Sequence, residues 1–437
     1  MSGRIRALGV ATAVAVAGLL AGGCGWGGAE PERGRVQPVT FWHSMAGDLG
    51  KTMRVIIEKF NALHPRTPVE AVYQGGYDLL AQKIRTSVVA GQPPVMAQMY
   101  EAWTAYLNRD RGQEAILDLR PMLAEPGFDR EDVYPVLMED VTFDGQVLAM
   151  PFNKSFPVLY YNRDLFLAAG LDPDRPPATW AEFAEYGRKL TRDTNGDGRN
   201  DIWGWSFAVD PWLYLCMVLQ NGGTFLSEDG RSANFDRPPA VEALEYWIDA
   251  SSGPRPFALR STEFEPQNEY VAGKVAMVLT SSVSKAFMKP MIRFDMGMAP
   301  IPQGARRASI VAGTNVGIFR KASPEQQRAA WEFIQFFSAT ENTTFWAIKT
   351  NYIPVRRSAT KSKVWTEWLK LDPTAGVAIS QMESATFEPR FPEWVDCRKV
   401  LSQAMTQALQ ERGNARERLA AANKEINAKL ARRHAAR

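Results

Sequence analysis

The sequence predicts a two-lobed α/β protein in which each lobe is a β-sheet flanked by helices. Three observations lead to this prediction. The chain has 437 residues, of which 45% are hydrophobic and 11% aromatic, which is enough to bury two cores. Strand and helix patterns alternate after residue 38, as in an α/β layer. The chain then runs beyond a predicted hairpin through residues 150–162, where we place the first crossing between the lobes.

An export segment precedes the lobes. Arg4 and Arg6 lead into an almost uncharged apolar run, which is the layout of a secretory signal and is shorter than the about 20 residues that span a bilayer. Small residues precede Cys24, in a pattern that resembles the lipobox of bacterial lipoproteins. We therefore predict a signal peptide over residues 1–23, a lipid on Cys24 that anchors the chain to the membrane, and a flexible tether over residues 24–37. Plain secretion with an unmodified cysteine is the alternative.

The first lobe begins with an alternation of strands and helices. Residues 39–43 and 69–73 read as strands, and apolar residues at helical spacing lie between them. The Gly75-Gly76 pair leads into a helix over residues 77–90, and residues 95–100 form a third strand. This order predicts a largely parallel sheet.

Local signals divide the rest of the chain. Phe143-Asp144-Gly145-Gln146 predicts a hairpin, Thr179 with Glu182 a capping box, and Ser323-Pro324 the start of a helix. A return crossing is expected near residues 300–312. Lobe 1 is predicted to comprise residues 38–150 and 311–357, and lobe 2 is predicted to comprise residues 151–310 and 358–437.

Charge and cysteine usage exclude some classes of function. Lys and Arg total 51 against 48 Asp and Glu, so the basic surface that nucleic-acid binding requires is not expected. Beyond Cys24 the chain has only Cys216 and Cys397, with three His in all, too few for a zinc site of paired ligands. No metal or cofactor is predicted. The two cysteines either form a disulfide or are buried thiols, and the apolar run around Cys216 favours the thiol.

Residues 193–201 match the first nine positions of a calcium-binding loop. The twelfth position is Gly204, where a bidentate Glu would normally complete the coordination. A tight turn stabilised by Asp and Asn side chains is the favoured interpretation, and structural calcium is the alternative.

Five separated segments, residues 41–47, 73–77, 99–101, 151–162 and 170–173, carry a family resemblance. In this order they resemble the extracellular solute-binding proteins of bacterial ABC importers, the group of maltose-binding protein. Within that group they are most similar to the glycerol-3-phosphate and glycerophosphodiester-binding members of the Ugp importer. The resemblance implies a type II periplasmic binding fold with a hinge, a monomer that binds a small polar solute in the cleft between its lobes, and a transmembrane permease as partner.

The resemblance also implies a set of ligand-binding residues. Hydroxyls and one Arg would converge on phosphate oxygens, a carboxylate would accept from glycerol hydroxyls, a glycine would allow close approach of the backbone, and a Trp would stack on the ligand. The residues at the matching positions are Tyr77, Glu101, Ser155, Trp212, Ser281, Gly313, Tyr352 and Arg398.

Each of these assignments has an alternative. Arg390 competes with Arg398 as the anion ligand. Glu101 could be a solvated loop carboxylate, Arg398 a helix-capping or salt-bridging residue, and Trp212 a core residue.

Two other functions remain as alternatives. A receptor for a di- or oligosaccharide would use aromatic stacking more than an Arg-centred pocket. An exported hydrolase would use two carboxylates. The sequence has no Gly-x-Ser-x-Gly elbow, Walker loop or zinc helix motif, so no enzymatic activity is predicted.

Overall fold

The computed structural model describes residues 37–108, 114–262 and 264–435, with the side chains of the last two residues of this range left out. The predicted signal peptide, the lipidation site Cys24 and the tether before residue 37 therefore lie outside the described residues.

Strands and helices alternate along the chain, as the sequence predicts. The strands are β1 Val39–His43, β2 Val69–Tyr73, β3 Met96–Met99, β4 Thr142–Phe143, β5 Gln146–Val147, β6 Met150–Ser155, β7 Pro157–Asn162, β8 Trp203–Phe207, β9 Ala258–Arg260, β10 Val275–Ser281, β11 Met296–Pro300, β12 Ser309–Ile310, β13 Ala312–Ile318 and β14 Ala385–Thr386.

The helices fall between and after these strands. They are α1 Gly47–Leu63, α2 Tyr77–Val89, α3 Glu101–Leu107, α4 Arg120–Leu123, α5 Pro135–Asp140, α6 Arg163–Ala168, α7 Trp180–Leu190, α8 Pro211–Gln220, α9 Pro238–Ser252, α10 Glu265–Val271, α11 Ser284–Met288, α12 Pro324–Ser338, α13 Thr340–Thr350, α14 Arg357–Lys361, α15 Lys363–Leu371, α16 Ala375–Ile379, α17 Trp394–Glu411 and α18 Ala415–Ala435. A short 3₁₀ turn, Met382–Ser384, precedes β14.

The first sheet has the strand order β2-β1-β3-β13-β6. Strand β1 runs parallel to both β2 and β3, whereas β13 is antiparallel to β3 and β6. The prediction of a largely parallel sheet is therefore confirmed: β2, β1, β3 and β6 run in one direction, and of the five strands β13 alone is reversed. The reason is that β13 enters from the second lobe at the edge where β3 ends, with Asn315 beside Met99, and so has to run back along β3.

The chain passes from the first sheet to the second at Phe156. Strand β6 pairs with β13 in the first sheet, and β7 pairs with β10 and β11 in the second. Residues 151–155, which the sequence analysis placed in lobe 2, thus form an edge of the first sheet. Their buried polar side chains find partners there: Asn153 accepts a hydrogen bond from the backbone N–H of Thr314, which lies on β13.

The second sheet has the order β11-β7-β10-β8-β9. Strand β7 is antiparallel to both neighbours, and β10, β8 and β9 run parallel to one another. Helices α17 and α18 pack together and against α8 and α9 on this lobe. Helices α14 and α15 pack on α13 of the first lobe instead, so the start of the segment predicted as lobe 2 lies with lobe 1.

Aromatic clusters fill the two cores. In the first core, the ring centroid of Phe41 lies 5.9 Å from that of Phe152 and 6.0 Å from that of Phe333. In the second, Trp205 packs edge-on against Trp247 at 5.5 Å. Burial of each such side chain contributes about 1.5–3 kcal/mol, so these clusters hold the sheets and their helices in place around the polar residues described below.

Several local predictions are confirmed. Phe143–Gln146 forms the predicted hairpin, and the capping boxes at Thr179 and Ser323 are both present. Cys216 and Cys397 are free, buried thiols, so no disulfide joins them.

Candidate functional site

The first lobe brings three tyrosines and an amide together. Tyr77 opens α2, and Tyr100 lies between the end of β3 and the start of α3, at the edge of the sheet where ligands bind in open α/β folds. The Tyr77 hydroxyl accepts a hydrogen bond from Asn153 Nδ2 at 3.3 Å, and the Tyr77 and Tyr100 rings meet edge to face at 5.1 Å. Tyr352 also hydrogen-bonds with Tyr77 and stacks on Trp346 at 5.7 Å.

The hydroxyls of this tyrosine cluster stay protonated. Burial raises the pKa of Tyr77, and raises those of Tyr100 and Tyr352 well above the ordinary value. They can therefore donate hydrogen bonds to an anion across the whole physiological pH range.

Glu101 is a partly buried carboxylate beside this cluster. Burial, followed by the negative charge of Asp140, raises the pKa of Glu101 to about 7, while the Lys154 ammonium acts in the opposite direction. The Glu101 carboxylate forms no ion pair with any residue that the structure describes. It is thus a free acceptor whose charge changes near neutral pH.

Lys154 and Asp140 form an ion pair beneath the site. The Nζ and Oδ2 atoms are 2.6 Å apart, and the side chains are only 1% and 2% exposed. Asn315 Nδ2 donates a second hydrogen bond to Asp140 Oδ2 at 3.3 Å. Because Lys154 lies on β6, one residue before Ser155, this pair fixes the strand that leads into the crossing.

Arg398 reaches the site from α17 of the second lobe. Its Nη1 donates to Glu388, and its Nη2 lies 2.8 Å from Asp210 Oδ1. Burial acts to lower the pKa of Arg398, but the charges of Glu388 and Asp210 outweigh this effect and raise the pKa above the ordinary value. The negative charge of Glu101 also acts to raise the pKa of Arg398, so the electrostatic environment of this guanidinium includes a carboxylate of the first lobe.

Ser155, Gly313 and Ser281 line the two crossings. Ser155 ends β6 beside Ala312 and is 5% exposed, and its hydroxyl forms no hydrogen bond within the described residues. Gly313 has a φ of +107°, and a Cβ atom there would lie 1.9 Å from the Asn153 carbonyl oxygen, so only glycine fits. Ser281 ends β10 opposite Pro157, and its Oγ accepts the Val283 N–H at 3.3 Å.

Trp212 is fixed at the start of α8. Its indole N–H donates to the Ile310 carbonyl at 3.0 Å, and its backbone N–H donates to the helix-capping Asp210. The side chain is half-buried and packs against the second core. It therefore serves partly as a core residue.

Arg390, the competitor of Arg398, is committed to backbone contacts. Its Nη1 donates to the carbonyls of Glu139 and Thr142, the latter at 2.6 Å. The guanidinium stacks on Phe387 at 4.3 Å and near Phe143 at 5.5 Å. These contacts tie the β14 segment to the first lobe, which favours a structural role for Arg390.

Several residues of this site were not predicted from the sequence. They are Tyr100, Asp140, Asn153, Lys154, Asp210 and Glu388. The sequence does contain a signal for Asn153 and Lys154. These two polar residues interrupt an otherwise apolar strand, and polar residues that are buried in a strand need hydrogen-bonding partners. Asp210 pairs with Arg398 across 188 residues of chain, and no local pattern marks Asp140 or Glu388 as the partner of a particular basic residue.

The calcium-like loop has the hydrogen bonding of a closed turn. Asp193 accepts from the backbone N–H groups of Asn195, Gly196 and Gly198, and Asp201 accepts from Thr194. No group of three or more His, Cys, Asp or Glu side chains suited to a metal was found among the described residues. In the same part of the chain, no helix combines the length and the apolar character that crossing a membrane requires.

The chain is similar to a known family and to curated relatives. Residues 55–373 match the family described as bacterial extracellular solute-binding protein. The sn-glycerol-3-phosphate-binding periplasmic protein UgpB of Pectobacterium atrosepticum is 30% identical over 360 residues, 79% of each chain. The protein of the same name from Salmonella typhimurium is 30% identical over 366 residues, covering 79% of this chain and 81% of that protein.

Solved structures share the fold. UgpB from Mycobacterium tuberculosis, in complex with glycerophosphocholine, superposes with a TM-score of 0.81 and 25% identity over 91% of this chain and 99% of that chain. The cyclic alpha-maltosyl-1,6-maltose binding protein from Arthrobacter globiformis gives a TM-score of 0.77 at 23% identity, over 90% and 99%. The predicted two-lobed α/β fold is confirmed by these similarities.

Proposed function

The chain belongs to the bacterial extracellular solute-binding proteins, and from this we propose that it captures glycerol 3-phosphate or a glycerophosphodiester such as glycerophosphocholine. The ligand would bind in the cleft between the lobes and be delivered to the permease of an ABC importer. The protein binds its ligand without chemical conversion, in line with the transport role of its relatives.

The observation that carries this proposal is that Arg398 of the second lobe interacts electrostatically with Tyr100 and Glu101 of the first lobe. One charged donor comes from α17 of the second lobe, and several hydroxyls and one carboxylate come from the first. An ester of phosphate and glycerol has the complementary groups, because its phosphate accepts hydrogen bonds and its glycerol hydroxyls donate them.

Each residue then has a role. Arg398, with the hydroxyls of Ser155, Ser281 and Tyr352, binds the phosphate, while Glu101 accepts from the glycerol hydroxyls. Tyr77 borders the glycerol, Gly313 lets the backbone approach it, and Trp212 contacts the head group. Since these residues come from both lobes, ligand binding favours the closed form of an open-closed equilibrium about the crossings.

The cellular setting is part of the proposal. We infer export through the segment 1–23 and an anchor on Cys24 at the outer face of the cell membrane or in the periplasm. The protein would act as a monomer, without a cofactor or a bound metal. Replacement of Cys24 by Ser should abolish labelling with a radioactive fatty acid and release the protein from membranes; unchanged labelling would refute the anchor.

Titration calorimetry with glycerol 3-phosphate and glycerophosphocholine tests the binding function. Replacement of Arg398 by Ala should weaken binding at least about tenfold, because hydrogen bonds to charged groups contribute roughly 1.5–3 kcal/mol. Replacement of Arg66, whose side chain is exposed on the first lobe, is the matched control and should have no effect. The absence of heat with both phosphate ligands would refute the proposal.

A sugar receptor is the second candidate. The acidic residues around Arg398, namely Glu388 and Asp210, resemble the carboxylates that accept hydrogen bonds from sugar hydroxyls. Binding of maltose or trehalose, with no response to either phosphate ester, would decide for this function.

A further inference from the structure

The environment of Arg398 bears on which phosphate ester fits. Both terminal nitrogens of its guanidinium are occupied by carboxylates, Nη1 by Glu388 and Nη2 by Asp210 at 2.8 Å. A phosphate group that binds Arg398 has to share it with these carboxylates or displace one of them. Which carboxylate yields is decided by how firmly each is held.

Glu388 is fixed and Asp210 is exchangeable. Glu388 is 8% exposed, and its Oε2 accepts the indole N–H of Trp394 at 2.6 Å. Movement of Glu388 would therefore leave this buried donor without an acceptor. The Asp210 side chain is 58% exposed, and water can replace its contact with Arg398. Its Oδ1 also accepts the Trp212 backbone N–H at 3.0 Å, which keeps the carboxylate beside the site even without Arg398.

The other charges nearby do not compensate for Asp210. Lys154 is paired with Asp140 at 2.6 Å, and the charge of Arg390, whose guanidinium donates to backbone carbonyls of the first lobe, acts on Glu101 and offsets it. At Arg398 itself, the two carboxylates of Glu388 and Asp210 outnumber the one guanidinium. A ligand at Arg398 therefore meets an excess of negative charge, which repels a dianion more than a monoanion.

We propose that Asp210 sets the ligand specificity of this site: it occupies Arg398 in the empty protein and favours phosphodiesters with a cationic head group over phosphomonoesters. This inference rests on the proposed binding of phosphate esters. A phosphomonoester carries a charge of about −1.5 to −2 at neutral pH, whereas a phosphodiester carries only one negative charge. A quaternary ammonium next to the diester would be attracted by the Asp210 carboxylate, and also by the ring of Trp212, whose backbone N–H binds this carboxylate.

The test compares the affinities of glycerol 3-phosphate and glycerophosphocholine by calorimetry in low salt at pH 7.5. Replacement of Asp210 by Asn removes the charge and keeps the oxygen that caps α8. The ratio of the two affinities should shift at least about fivefold toward glycerol 3-phosphate, as expected for one unit charge removed at short distance near the protein surface. Replacement by Glu should keep the wild-type ratio, and high salt should reduce the shift.

Replacement of Asp174 by Asn is the matched control, since this exposed carboxylate pairs with Arg163 elsewhere on the second lobe. It should leave the ratio unchanged. A wild-type protein that binds at least one ester, with the same ratio in the Asp210→Asn variant, would overturn the role of Asp210 and leave the proposed function intact. A wild-type protein that binds neither ester would overturn both.

Discussion

The buried ion pair between Lys154 and Asp140 gives the sharpest prediction for stability. Replacement of Lys154 by Met leaves the Asp140 carboxylate, which is 2% exposed, with the Asn315 amide at 3.3 Å as its one side-chain donor among the described residues. Removal of one partner from a buried pair costs about 3–5 kcal/mol, because the remaining charge stays desolvated without compensation. The free energy of unfolding should fall by this amount.

A second substitution separates this cause from a loss of packing. With Asp140 changed to Leu in the Lys154→Met background, no buried charge remains, and most of the lost stability should return. The control is Lys189→Met, which breaks an exposed pair with Glu185 whose side chains are 51% and 60% exposed. That variant should lose less than about 1 kcal/mol.

Urea denaturation followed by tryptophan fluorescence measures these differences. The reasoning would be refuted if Lys154→Met lost no more stability than Lys189→Met, or if the double variant were no more stable than the single one. The same substitution should also raise the pKa of Glu101 beyond about 7, because the Lys154 charge opposes that shift in the native protein.

Three further predictions concern pH and backbone geometry. Burial raises the pKa of Glu101 to about 7, so calorimetry should show affinity for a glycerophosphodiester rising about tenfold from pH 6 to pH 8 as the accepting carboxylate forms, with a flat profile in Glu101→Gln. A matching rise in the variant would contradict this role. Burial lowers the pKa of His43 to about 4, below its unfolded value, so the histidine contributes stability that is present above about pH 6.5 and is lost as the pH falls to 4, by up to ~3 kcal/mol. The urea midpoint of the His43→Asn variant should fall less steeply with decreasing pH than that of the native protein. Equal slopes in the two proteins would contradict this role of His43. Replacement of Gly313 by Ala places a Cβ atom 1.9 Å from a carbonyl at a φ of +107°, so thermal unfolding should show a loss of at least ~2 kcal/mol. Gly222→Ala, with a φ of +84° and no atom within 4 Å, should cost only about 1 kcal/mol, and an equal loss in both would show that the close contact is irrelevant.

Local sequence patterns predicted much of the fold. The alternation in β1 buries Val39, Phe41 and His43, the Asp144-Gly145 pair turns the hairpin with both φ angles positive, and Thr179 caps α7. Each of these features depends on residues within a few positions of one another, so the local sequence is sufficient to predict it. The assignment of the binding residues came from resemblance, and their roles remain proposals.

Contacts between distant segments decided the rest. The charge state of Glu101 depends on burial and on Asp140, the specificity argument depends on Asp210 lying beside Arg398, and the crossing depends on β6 pairing with β13. The sequence by itself determined the strands, helices, caps and turns, because short-range geometry and hydrophobic periodicity produce them. Only the tertiary structure decided which charges meet, because electrostatic interactions follow distance in space and are strengthened by burial, and neither quantity can be read from separation along the chain.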